Sequence, residues 1–279
     1  MKTGFKFGIA AVALATCVAG GTLWANADSE DEAIEEAFIG SQNVSQQIGH
    51  FESDNGKTDQ LSEEQIQGYI DDFNAKMDKY YSSDNVCREM YKEINEQYLR
   101  KDAKDTIAYT VDGGVVDCTY SNIKVSADGT SATMDVILIG WENLVEENEE
   151  GQIEVTAPIE QDSMNVTMVK EDGQWKLQAV NDMTAFFGTD AISDLQEAEQ
   201  KASAKGRSAA SVYSAEQQEQ MQAFDAYEQK TLFTEYDSFS EALQAAESID
   251  PNEINPFPLW NEMGGSSLEK YKGDASWEA

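Results

Sequence analysis

The side chains in this sequence that could do chemistry are nearly all carboxylates. Asp and Glu number 53 against 19 Lys and Arg, and there is one histidine. A carboxyl group works as a general acid or base once burial lifts its pKa toward neutrality. Glu154, Glu160 and Asp182 fall near expected strand ends, where a base could face a ligand, yet no spacing singles out a pair. His50 stands in a polar linker ahead of the first strongly periodic helix, so a solvated role is expected for it. The sequence has no G-x-S-x-G elbow, no phosphate-binding loop and no H-E-x-x-H helix. Asp54-Asn55-Gly56 fails the calcium-loop pattern, because Gly56 at the sixth position would put Phe51 at the first ligand. No catalytic residue, metal ligand or cofactor is therefore assigned.

The formal net charge of −34 repels phosphate backbones and anionic bilayers. That excludes nucleic acid as a partner, and attachment of the folded part to an anionic membrane surface. The acidic surface reads first as a solubility device, with low-affinity calcium binding as another use. Tyr80, Tyr81, Trp141, Trp175 and Phe187 are candidates to line an apolar pocket; the competing reading is that they fill the core. Cys87 and Cys118 form an even pair. In an oxidising compartment a bridge between them would contribute about 3 to 4 kcal/mol by constraining the unfolded chain. Two free, buried thiols are the alternative.

These residues must be positioned by a chain whose hydrophobic period changes twice. Residues 1–27 read as a targeting segment, with Lys2 and Lys6, an apolar run from Phe7 to Val18, and Ala25-Asn26-Ala27 as an A-x-A cleavage site. Two other fates stay open: lipidation at Cys17 of Leu14-Ala15-Thr16-Cys17, or retention of Phe7 to Ala25 as an anchor. Each places the remainder outside the cytoplasm, secreted or tethered to the outer face of the membrane. Residues 28–60 read as an acidic spacer. Ser62 and Gln65 then form a capping box ahead of Ile66, Ile70, Phe73, Met77 and Tyr80, all on one helical face. A second helix spans about Asp84 to Leu99.

Beyond Asp105 the period drops from about 3.6 to 2. Strands are expected at Ile107 to Val111, Val115 to Ser126, Ser131 to Leu144, Gln152 toward Met164, and Gln174 to Val180. Apolar residues in the second of these switch from even to odd positions, which predicts a bulge near Ser121 or Asn122. Met134 to Trp141 is apolar on both faces and so belongs at the centre of the sheet. Asp172-Gly173 marks a tight hairpin. From Asp190 the period is helical again, with capping boxes at Ser214 and Ser238. Pro256-Phe257-Pro258-Leu259-Trp260 reads as a docking segment or as an extended strap on its own domain.

Two helices followed by a bent antiparallel sheet closing in a charged hairpin make a known pattern. On Val166, Met168, Val169, Lys170, Gly173, Trp175, Lys176 and Leu177, the chain resembles the nuclear transport factor two-like superfamily, the curved roll shared with ketosteroid isomerase and the polyketide cyclases. It looks most like small exported bacterial members. The resemblance implies an α+β fold over about Leu61 to Phe187, a helix pair packed on a strongly bent, cone-shaped antiparallel sheet. Residues 61–188 would form the roll and 189–279 a helical extension. The resemblance also implies His, Asp or Tyr in the mouth of the cone for enzymatic members, from which this chain departs because His50 lies outside the roll. The expectation is an exported, non-enzymatic envelope or surface module that binds a protein or a small apolar ligand. A lyase, isomerase or cyclase using a buried carboxylate in the cone is the alternative.

Overall fold

The computed structural model describes residues 30–207, 213–222 and 234–265. The targeting segment with Cys17, and Phe224, Tyr227 and Leu232 of the C-terminal third, lie outside the described residues. Helices α1 (Glu30–Ser45), α2 (Glu63–Tyr80) and α3 (Arg88–Gln97) come first; α3 runs through a π-helical turn, Tyr98–Asp102, into the single turn α4 (Ala103–Asp105). The sheet follows with β1 (Ala108–Val125), β2 (Ser131–Glu147), β3 (Ile153–Thr156), β4 (Ile159–Glu171) and β5 (Gln174–Phe187). Helix α5 (Gly188–Ala204), strand β6 (Thr234–Tyr236) and helices α6 (Phe239–Ala246), α7 (Pro251–Ile254) and α8 (Phe257–Glu262) complete the described chain.

Every strand pairing in the named sheet is antiparallel, and β2 is its centre: one side pairs with β1, the other with β4 and then β3. β5 extends the sheet beyond β4 and β6 extends it beyond β3. The sheet bends where β1 carries an extra residue. The register slips between Ser121 and Lys124, where Asn122 adopts φ 55°, so the switch of apolar parity is a bulge. The hairpin turn at Asp172 (φ 51°) and Gly173 (φ 81°) has both central residues left-handed, the geometry whose twist matches paired strands. The capping box of Ser62 and Gln65 forms at the start of α2 as its sequence specifies. This is an α+β fold with a strongly curved, unclosed sheet.

Even-numbered residues of β2 point to the concave face. Ala132, Met134, Val136 and Leu138 pack there with Met164, Val166 and Met168 of β4, Trp175 and Leu177 of β5, and Phe73 and Met77 of α2. Ile34, Ala37, Phe38 and Val44 of α1 complete this core, and Phe38 is 0% exposed. The reading of residues 28–60 as a spacer is thereby corrected: α1 is part of the main core, burying Ile34, Ala37, Phe38, Ser41 and Val44 on one side. Spacings of three and four put these residues on one face, and the deeply inserted Phe38 ring supplies much of its buried area. The first turn of α1 is pinned to the β4–β5 hairpin, where Trp175 Nε1 donates to Glu30 at 2.8 Å and Lys170 pairs with the same carboxylate at 2.5 Å.

The convex face is polar near the hairpin and covered by the C-terminal helices at the other end. Ile139, Trp141 and Ile159 pack there with Ala191 and Ile192 of α5, Ile254 of α7, and Phe257 and Trp260 of α8. The Pro-punctuated segment therefore lies on its own domain, as helix α8 and not as an extended strap. Helix α3 turns Tyr91 and Ile94 toward the concave core, while Val86, just before it, is 89% exposed and Met90 is also exposed. The bulk of α1 already occupies the concave face.

Truncating Phe38 to Ala is expected to cost about 3 to 5 kcal/mol, whereas Val86→Ala should stay within about 0.5 kcal/mol. Urea unfolding of both variants measures this, and equal midpoints would show that α1 is not part of the core.

Candidate functional site

The concave face changes character along β2. Beyond Leu138 the even positions are Gly140, Glu142, Leu144 and Glu146, and the β4 residues facing the same way after Met164 are Asp162 and Glu160. Asp162 is paired in register with Leu138, and Glu160 with Gly140. Gly140 leaves no side chain between Leu138 and Glu142 on this row, so Glu160 and Glu142 are diagonal neighbours roughly 7 to 8 Å apart. Two strands, β2 and β4, thus bring an acidic half-face into line with the apolar half-face that α1 and α2 cover. The alternation of one long strand makes both.

Glu142 is the buried member, at 3% exposure. Its amide donates to the Pro158 carbonyl at 2.8 Å, but its Oε1 has no hydrogen-bond partner among the described residues. Burial, with Glu160 and Glu146 nearby, pushes its carboxyl up to about 10. It is a neutral acid at pH 7, able to donate a hydrogen bond. Burial, and then Asp162, raise Glu160 to about 7, and burial raises Asp162 to about 6. Both are half-buried and reachable. Glu146 is raised by burial, against a hydrogen bond from Thr156 Oγ1 at 3.3 Å. The row therefore combines a neutral donor with a carboxylate poised near neutrality, the separation of environments that acid–base chemistry uses.

The rim of this half-face is apolar. Phe187 is opposite Glu160 in the β4–β5 register, and Met183 is opposite Met164; they are 50% and 57% exposed. Among the described residues, no group of three or more His, Cys, Asp or Glu is arranged to hold a metal ion.

The five aromatic pocket candidates do not converge. Tyr81 and Trp175 are buried in the concave core, the Tyr81 hydroxyl donating to the Ser41 carbonyl at 3.1 Å. Tyr80 is half-buried against the same core, with Lys79 Nζ 4.6 Å from its ring centre. Trp141 is on the convex face, and Phe187 alone borders the acidic row. Strand parity separates them: odd positions of β2 face α8, even positions face α1. Of the acids singled out in the sequence, Glu160 belongs to the row, Asp182 is exposed and Glu154 opposes Glu146 on β3. Glu142, Glu146 and Asp162 were missed. Their signal was available, since the even positions of β2 run from Met134 through Leu138 to Glu142, but pairing with β4 could not be read from one strand. His50 is exposed at the end of the α1 segment.

The proposed bridge between Cys87 and Cys118 is absent; both are free thiols. Cys87 precedes α3 beside Tyr91, while Cys118 sits on β1 beside Tyr120, its thiol pushed up to about 11 chiefly by burial. Among the described residues no helix is long and apolar enough to cross a membrane.

No protein-family model matches the sequence, and a comparison with curated proteins gives no match. Among solved structures, the intermembrane space region of the chloroplast protein ARC6 is similar at 10% identity and a TM-score of 0.33, over 55% of this chain and 92% of that one. A protein assigned as a scytalone dehydratase from Novosphingobium aromaticivorans is similar at 15% identity and a TM-score of 0.30, over 56% of this chain and 86% of its own. Likeness at this level concerns the course of the chain alone. The curved α+β roll that the hairpin resemblance implies is nevertheless the architecture observed, as the strand order and the concave helix layer show.

Two outcomes follow from the geometry. Cys87 and Cys118 should each take up an alkylating reagent in denaturant without prior reduction, read by intact mass; labelling that requires reductant would restore the bridge. Glu142, Glu160 and Asp162 carry raised folded-state pKa values, so the unfolded chain binds fewer protons than the folded one between about pH 4 and the folded values. Their contribution is fully favourable below about pH 4 and is lost as pH rises. Glu142→Gln should therefore raise stability by about 1 to 3 kcal/mol at pH 8 and by little at pH 4, measured by urea midpoints. A gain independent of pH would contradict the assignment.

Proposed function

We propose that the chain is an extracytoplasmic module that binds a small organic molecule on the acidic half of its concave face. The observation that carries this reading is the juxtaposition of Glu142, with a buried unpartnered oxygen, and the half-buried Glu160 and Asp162 beneath the exposed Phe187 and Met183. A buried polar atom without a partner is costly, and a bound ligand that supplies one recovers that cost. Export is supported by the basic start, apolar run and A-x-A site of residues 1–27. Binding without turnover is the reading for the domain as a whole.

A second reading is favoured by one specific feature. A neutral Glu142 diagonal to a Glu160 poised near pH 7 is a proton donor beside a proton acceptor, the equipment of a dehydratase or isomerase acting on a small substrate.

Ligand-detected NMR of the exported form against a small-molecule mixture tests the first reading. Binders should lose their signal with Glu142→Gln/Glu160→Gln and keep it with Asp182→Asn, on the other face of the sheet. Recovery of each binder chemically unchanged after long incubation supports binding alone, and conversion that Glu160→Gln abolishes supports the second reading. Signals indifferent to both variants would remove the site.

A further inference from the structure

The acids of the concave row act on one another, with no cation among them in the described residues. The charged groups that perturb Glu142 are Glu160 and Glu146, and the one that perturbs Glu160 is Asp162. Of the lysines on the flanking strands, Lys124 is opposite Thr133 at the other end of β2, Lys170 pairs with Glu30, and Lys176 with Glu171 at 3.4 Å and the Asp78 carbonyl at 2.8 Å. Lys57, at the far end of β2, is held by Glu147 at 3.1 Å. An anionic ligand would enter this half-face against every neighbouring charge. A divalent metal is disfavoured by spacing, since no set of three acids converges among the described residues.

What remains complementary is a compact organic cation. Its N–H groups can donate to the unpartnered Glu142 Oε1 and to Glu160, and its apolar body can rest on the ring of Phe187, which stands opposite Glu160. An ammonium near an aromatic face gains a cation–π contribution, and the net charge of −34 concentrates cations at the surface. We infer that the ligand is a primary or secondary amine with a small apolar body, seated between Glu142, Glu160 and the Phe187 ring. This rests on the concave face being a small-molecule site.

Titration calorimetry of the full exported chain at low salt, with benzylamine, benzyl alcohol and benzoate as probes of one shape and three charges, tests the inference. Benzylamine should bind at least about 10-fold more tightly than benzyl alcohol, because hydrogen bonds to charged groups are the stronger ones, and benzoate should not bind. Glu142→Gln/Glu160→Gln should weaken benzylamine about 10-fold or more, and Phe187→Ala about 3-fold or more, with circular dichroism showing that each variant is folded. Phe187 is exposed, so its variant separates a ligand contact from a folding defect. Equal binding of benzylamine and benzyl alcohol, sensitive to the same substitutions, would overturn the amine assignment and leave the small-molecule site standing. Absence of binding by benzylamine, or binding indifferent to all these substitutions, overturns the amine assignment. If neutral probes, including Nile red, also fail to bind, the site itself falls.

Discussion

The 17 residues of β2 carry the constraint on which the rest of the structure depends. One unbroken strand hydrogen-bonds to β1 along one edge and to β4 and β3 along the other, so its alternation fixes the two faces of the whole sheet. Side chains on a strand alternate strictly, and a slip of one residue would exchange core for surface throughout. The first half of β2 offers Ala132, Met134, Val136 and Leu138 to the concave side, which obliges helices to cover it. The second half offers Gly140, Glu142 and Glu146 to the same side.

The helices are answers to that surface. α1 inserts Phe38 edge-on against Tyr120 of β1, 6.2 Å between ring centres, and α2 brings Phe73 and Met77 beside it. On the other face, Trp141 and Ile139 require a second cover, which α5, α7 and α8 supply through Ile192, Ile254 and Trp260. Phe186 meets the Trp260 ring at 5.0 Å. Bulges in β1 and β5 let the sheet curve between these layers, and the curvature makes one face concave enough to enclose side chains.

A buried carboxyl such as Glu142 contributes little to folding and carries a desolvation cost at neutral pH. The protein tolerates it because the apolar half of the same face and the convex cover supply ample burial. That division of labour along a single strand, packing at one end and polar groups held out of water at the other, is what gives the row its chemical character. The exposed Phe187 and Met183 on β5 keep its border open to an apolar body.

Local pattern by itself determined much of the fold. The capping boxes at Ser62 and Ser214, the Asp172-Gly173 turn, the bulge at Asn122 and the centrality of Met134 to Trp141 depend on neighbours within a few residues, so they were legible in the sequence. Tertiary structure decided what depends on partners far away in the chain. Whether Ile34 and Phe38 are spacer or core rests on a groove formed some hundred residues later, and strand β6 exists because Val155 offers it an edge. The five aromatics were divided between two faces by strand parity, and the two cysteines were held on different elements. The carboxylate row needed the pairing of β2 with β4 before Glu142, Glu160 and Asp162 could be neighbours. Composition counts acids, but only register places them on one face, with no described cation among them.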